Sequence, residues 1–147
     1  MLRFFLIIIT LFSVVSCSQQ RDPRSAGLVP AAGVVLYNGQ TVADASIVFH
    51  SDGGSAISGA NGAFAINMYG NGDGTRPGEY RVSVIKETVE SPVTGDELVR
   101  LEREGKPIPR SKVISHLPSK YRNVETSGLV VTIPPKGAKD LRIELND

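Results

Sequence analysis

The sequence predicts an all-β fold, a sandwich or small barrel of about seven short strands. Apolar residues recur at every second position in several runs, as they must where one strand face is buried and the other is wet. Turn-forming clusters separate these runs at near-regular spacing: Asn38-Gly39, Ser51-Asp52-Gly53-Gly54, Gly59-Ala60-Asn61-Gly62 and Pro134-Pro135-Lys136-Gly137. Composition agrees. With 15 Gly, 9 Pro, no Trp and 6% aromatic residues, the chain suits a turn-rich β domain better than a helical one.

The chain opens Met1-Leu2-Arg3, then runs from Phe4 to Val15 for 12 residues without a charge. As a helix this run would span about 18 Å, well short of the roughly 30 Å core of a bilayer. It has the length of a secretory h-region behind a short basic start. Polar residues follow at once, from Ser18 to Ser25. The stretch Val14-Val15-Ser16-Cys17 resembles the bacterial lipobox: an aliphatic residue, a small or aliphatic one, a small one, then Cys. That resemblance implies cleavage before Cys17 and acylation of its thiol and of its new amine. Several acyl chains anchor stably where one gives only marginal membrane binding. A cleaved signal with a chance cysteine and a retained signal anchor are the competing readings. A disulfide within the chain is excluded, because Cys17 is the one cysteine. Residues 1–16 are thus read as a lipoprotein signal peptide and 17–30 as a flexible tether, polar and without periodicity. Residues 31–147 form the domain. Arg3 leaves with the signal, so the 16 Lys and Arg become level with the 15 Asp and Glu and the remaining chain is formally neutral. That speaks against nucleic acid, which calls for a clustered basic footprint.

The strands follow in order. Residues 34–37 form the first, ending at the Asn38-Gly39 turn. In residues 45–50, Ala45, Ile47 and Phe49 face one way and Ser46, Val48 and His50 the other. Residues 56–58 are a brief strand. Residues 63–68 put Phe64, Ile66 and Met68 on one face, and residues 79–85 put Tyr80, Val82 and Val84 inward. The pattern then stops for about 30 residues, longer than ordinary connections. Here Thr94 and Glu97 offer a capping box. Leu98 and Leu101 share a helical face, Asp96/Arg100 and Glu102/Lys106 are spaced as i,i+4 pairs, and Gly105 followed by Pro107 is a stop signal. A short exposed helix inside a long polar loop is expected. Strands resume with Leu129, Val131 and Ile133, then Leu141, Ile143 and Leu145. The predicted core is Ile47, Phe49, Phe64, Ile66, Tyr80, Val82, Val84, Leu129, Val131, Ile133, Leu141 and Ile143.

The ordered stretches GVVLYNGQTVADASIVF, SGANGAFAI, GDGTRPGEYRVSV, LPSKYRNVETSGLVVTI and the closing LRIEL resemble the carboxypeptidase regulatory-like (transthyretin-like) domain, in the version found in small planctomycete lipoproteins. The resemblance covers Gly33 to Leu145. It implies a seven-stranded Greek-key β-sandwich, with a long loop carrying one short helix, and implies little about activity. One enzyme of transthyretin-like fold, hydroxyisourate hydrolase, has a His-containing first strand and a Tyr-Arg-Gly-Ser tail. This chain has Val34-Val35-Leu36-Tyr37 and Glu144-Leu145-Asn146-Asp147 in those places.

No residue pattern calls for catalysis, a cofactor or a metal. The sequence places neither a carboxylate nor a hydroxyl beside His50 or His116. Asn71, Asp73 and Thr75 alternate like calcium-loop donors, but counting from Asn71 the positions that need Gly and Glu hold Arg76 and Val82, so a glycine-rich turn is expected. Ser58 and Ser127 lack the flanking pattern of a nucleophile elbow. Arg100, Arg103, Lys106, Arg110 and Lys112 are interleaved with Glu97, Glu102 and Glu104, as on a solvated face. The expectation is a non-enzymatic, lipid-anchored module of the cell envelope, held to the cell membrane or outer membrane through acylated Cys17, with its domain on the periplasmic or external side. An envelope protein is the expected partner. The alternatives are a carbohydrate-binding module, disfavoured by the lack of Trp, and a transthyretin-like hydrolase.

Overall fold

The computed structural model describes residues 23–70 and 72–147. The expected signal segment, Cys17 and Asn71 lie outside the described residues. Among those described, the strands are β1 (Ala31–Tyr37), β2 (Gln40–Thr41), β3 (Ser46–Phe49), β4 (Gly54–Ile57), β5 (Ala63–Ala65), β6 (Gly78–Ile85), β7 (Glu87–Glu90), β8 (Lys112–Ser115), β9 (Leu129–Ile133) and β10 (Ala138–Leu145). Helix α1 (Gly95–Arg103) lies between β7 and β8, and the single turn α2 (Val124–Ser127) follows a 3-10 turn at Ser119–Arg122. The expected seven strands appear as β1, β3, β4, β5, β6, β9 and β10. The count is ten because β2, β7 and β8 add to it. These three bury almost nothing, with patterns of exposed or half-exposed residues throughout. The alternation that marks a half-buried strand is therefore missing from their sequences.

The chain is built on two four-stranded sheets. In the first, β10 runs parallel to β1 on one side, while β5 and β2 pair antiparallel with its first and second halves on the other. The second has the order β4-β3-β6-β9 and is antiparallel throughout. β7 and β8 form a separate antiparallel pair. Buried side chains from both large sheets join one cluster: Val35, Phe64, Ile143 and Leu145 from the first, Ile47, Phe49, Val82, Val84 and Ile133 from the second. Of the predicted core, Leu129, Val131 and Leu141 are only partly buried and pack against its margin. Leu117 and Tyr121 join the core from the irregular segment before α2, where no periodicity announced them.

Local chemistry explains the turns and crossings. Asn38 and Gly39 take φ of 49° and 80°, the pair of left-handed residues that a two-residue hairpin turn needs to match strand twist. Gly33 sits where the β1–β10 register shifts. A Cβ there would lie 2.1 Å from the Leu141 carbonyl oxygen, so only glycine lets the two strands meet. Tyr80 is buried near the start of β6, and its hydroxyl donates to the Arg76 carbonyl at 2.8 Å, closing the corner that leads into the strand. Val29, in the stretch read as tether, exchanges backbone hydrogen bonds with Thr75 in both directions (2.8 and 3.1 Å), and the Pro30 carbonyl accepts from the Ala138 N–H at 2.9 Å.

Candidate functional site

Beyond Ile85 the chain leaves the sheets as an arm. The His116 N–H donates to the Lys86 carbonyl at 2.9 Å, and β7 and β8 then pair from Glu87↔Ser115 to Glu90↔Lys112. The expected polar loop is therefore an ordered hairpin with a helix at its far end. Thr94 caps α1 by accepting the Glu97 N–H. At the other end the Lys106 N–H reaches the Leu101 carbonyl (2.9 Å) and the Gly105 N–H reaches that of Glu102 (3.1 Å), with Gly105 at φ 64°. This is the paired-bond helix stop that glycine makes possible. Asp96 and Glu97 in the first turn and Arg100 and Arg103 in the last complement the helix dipole. The expected i,i+4 ion pairs are not the ones formed: Arg100 bonds Glu97 at 3.2 Å and Lys106 bonds Glu104 at 2.8 Å. Both pairs are exposed, where such contacts contribute little and partners exchange easily.

The arm carries four of the seven large apolar side chains left exposed among the described residues, the others being Ile57, Tyr69 and Val130. Val89 is 66% exposed and Val113 55%, and the two are cross-strand neighbours on one face. Helix α1 has no buried residue, and Val99 and Ile108 are exposed as well. The foot of the arm is tied down by the Arg122–Glu87 ion pair and by Thr88, whose hydroxyl lies 2.9 Å from His116 Nε2. A small cavity of about 130 Å³ opens there between Tyr37, Lys86, His116 and Leu117.

The remaining candidate residues are absorbed by the fold. His50 Nε2 lies 2.8 Å from the Ser83 hydroxyl. Each histidine thus has a hydroxyl partner that the sequence did not place. Neither ring bonds a carboxylate among the described residues, so no base–orienter chain is assembled. Asp73 holds its turn shut: its carboxylate accepts the Met68 N–H (2.9 Å), the Tyr69 N–H (3.1 Å) and the Ser25 hydroxyl (3.1 Å). Thr75 is fully buried. The Ser58 hydroxyl donates to the Val42 carbonyl at 2.7 Å and accepts the Ala45 N–H at 2.9 Å, a structural bridge in a residue that is 1% exposed. Ser127 bonds Val124 and Leu129 in the same manner. Among the described residues, no three His, Cys, Asp or Glu side chains are grouped to hold a metal.

A cleft of about 620 Å³ lies near the Asp73 turn, lined by Ser51, Asp52, Met68, Tyr69, Arg76 and Tyr80. Tyr69 is its one well-exposed aromatic, at 39%, and the Arg24 guanidinium lies 4.9 Å from the ring centroid. One face of that ring is therefore already covered by a cation. No family model, no curated protein and no solved structure matches this chain.

Proposed function

We propose that the protein is a lipid-anchored, non-enzymatic β-sandwich module of the cell envelope that captures a protein partner through its β7–α1–β8 arm. The observation that carries the binding assignment is the arm itself. It is ordered and capped, yet residues 88–114 place no side chain in the buried core, and Leu98 and Leu101 are only half-buried. A long, structured segment that leaves the core untouched is a common way for a scaffold to carry recognition. Exposed apolar side chains on it supply the contact area that partners use.

The anchor rests on Val14-Val15-Ser16-Cys17 and the uncharged run before it. Acylated Cys17 would hold the domain at the periplasmic or external face of the cell membrane or outer membrane. The carboxypeptidase regulatory-like, Greek-key reading is supported by two sheets enclosing one core. It is also supported by the Tyr80 corner, a device typical of Greek-key sandwiches in which a tyrosine hydroxyl bonds backbone a few residues upstream. The carbohydrate-binding alternative would use the 620 Å³ cleft, but sugar stacking wants a bare aromatic face and Tyr69 shares its ring with Arg24. The deciding experiment is crosslinking and pull-down from intact envelopes with the full chain and with a chain in which residues 88–114 are replaced by a short Gly/Ser linker. Loss of partner capture in the shortened chain is expected. Capture that survives would move the binding surface to a strand edge or to the cleft.

A further inference from the structure

We propose that the arm pairs with a second copy of this chain, β8 against β8, about a two-fold axis through Val113. The proposal rests on the reading of the arm as the recognition element and names what that element takes.

The hydrogen-bond phase of the hairpin is the starting point. In an antiparallel ladder, opposed residues alternate between pairs that bond each other and pairs whose N–H and C=O groups point outward. The His116 N–H donates to Lys86, so Lys86/His116 is a bonded pair. Following the register, Glu87/Ser115 is not bonded, Thr88/Ile114 is, and Val89/Val113 is not. The backbone N–H and C=O of Val113 and Ser115 are therefore turned away from β7, toward the open edge of β8. Lys112, Val113 and Ser115 are exposed along that edge.

A two-fold axis perpendicular to the sheet at Val113 sets this residue opposite itself. Each Val113 N–H then donates to the other copy's Val113 carbonyl, and Ser115 meets the other copy's Ser111 in the same phase. The axis keeps faces matched. Val89 and Val113 are opposed on one face of the hairpin, so the dimer carries an unbroken row Val89–Val113–Val113–Val89 across a four-stranded sheet. An isolated two-stranded hairpin is marginal in water, whereas a wider sheet with an apolar face is not. Charge selects β8 over β7. On β8 the single charge is Lys112, which faces Ile114 of the other copy. A seam along β7 would gather Glu87 and Glu90 from both copies. The edge strand of the first sheet is defended in the usual way, with Lys139, Asp140, Arg142 and Glu144 along β10. β4 has its outer side partly taken by the Ser55–Asn67 bridge.

The test uses the full chain in its own membranes. Opposed residues of a bonded antiparallel pair have Cα atoms about 5.5 Å apart, inside the range a disulfide spans. Mild oxidation of Val113→Cys should yield mostly covalent dimer on a non-reducing gel. Val89→Cys, about 14 Å from its mate across three strand spacings, should yield none, and neither should the wild-type chain with Cys17 alone. Equal crosslinking of Val113→Cys and Val89→Cys, or none from either, overturns the proposal. Val113→Pro supplies an independent arm of the test. It removes a donor the hairpin does not use, so the melting temperature should hold while the dimer seen by chemical crosslinking is lost. A dimer that persists in Val113→Pro overturns the β8 seam. If dimerisation fails these tests while deletion of residues 88–114 still abolishes capture of another protein, the arm remains the recognition element and only its partner changes.

Discussion

Phe64 is 4% exposed between the two sheets, its ring centroid 6.4 Å from that of Phe49, which in turn meets Tyr80 edge-on at 6.1 Å and 73°. Such a ring removed from a packed core leaves a cavity as well as losing its transfer energy. Phe64→Ala should cost about 3–5 kcal/mol, against a total stability of about 5–15 kcal/mol. A melting shift of only about a degree would take Phe64 out of the core. Tyr80→Phe keeps the ring and removes the bond to Arg76, so a loss of about 1 kcal/mol is expected by denaturant titration. At the surface, the Tyr37 hydroxyl donates to the Asp147 carboxylate, which also accepts from Asn38 Nδ2 at 2.8 Å. The bond to Asp147 holds Tyr37 above the usual phenol value. The bonds from Tyr37 and then Asn38 hold Asp147 below the usual carboxylate value. The lowered carboxylate contributes above its unfolded pKa, and that contribution is lost as pH falls through the folded one. The raised phenol contributes below its unfolded pKa near 10 and loses that contribution as pH rises through the folded one. Asp147→Asn should therefore move the ultraviolet-monitored titration of Tyr37 down toward the ordinary value. An unchanged titration would show that the pair is not formed in solution.

Among the elements, the arm and the segment that follows it divide the work. Residues 88–114 place nothing in the core, while Leu117 and Tyr121 are buried and the Tyr121 hydroxyl bonds both the N–H and the C=O of Asn146 at 2.8 Å. Replacing residues 88–114 with a short Gly/Ser linker should leave the thermal melt unchanged, since loop length alters closure entropy by only about 0.6 kcal/mol per doubling. A domain that fails to fold would mean that the half-buried Leu98 and Leu101 help cover the sheets. Extending the deletion through Tyr121 should, by contrast, unfold the domain. Helix α1 was legible in advance because capping and stopping are local: Thr94, Glu97 and Gly105 act within one turn of their own positions. β7 and β8 were not, because a strand that buries neither face has no alternation to read.

For the whole molecule, the proposed anchor at Cys17 would set where everything else acts. Cys17→Ala should release the protein from membranes or leave it unprocessed, and mass spectrometry of the mature N-terminus checks this directly. An unmodified start at any residue other than Cys17 would remove the anchor. The domain is closed by the parallel pairing of the first and last described strands, β1 with β10. The chain cannot complete the first sheet until almost all of it has been threaded, which makes this the most non-local feature of the fold.

By itself the sequence determined the all-β class, seven of the strand positions, the Asn38-Gly39 and Gly105 backbone reversals and most of the buried set. These follow from period, turn chemistry and steric limits that act over a few residues. The likeness of Val14-Val15-Ser16-Cys17 to a lipobox is local in the same way. The tertiary structure decided which strands are neighbours, since any alternating strand can pair with any other until the core is shared. It also decided that Gly33 must be glycine for the sake of Leu141 and that Ser58 bridges Val42 and Ala45 as a structural group. Tyr121, in a stretch without strand periodicity, closes over the end of β10. Burial of a residue with no periodic neighbours depends on partners distant in the chain, and no local pattern records them.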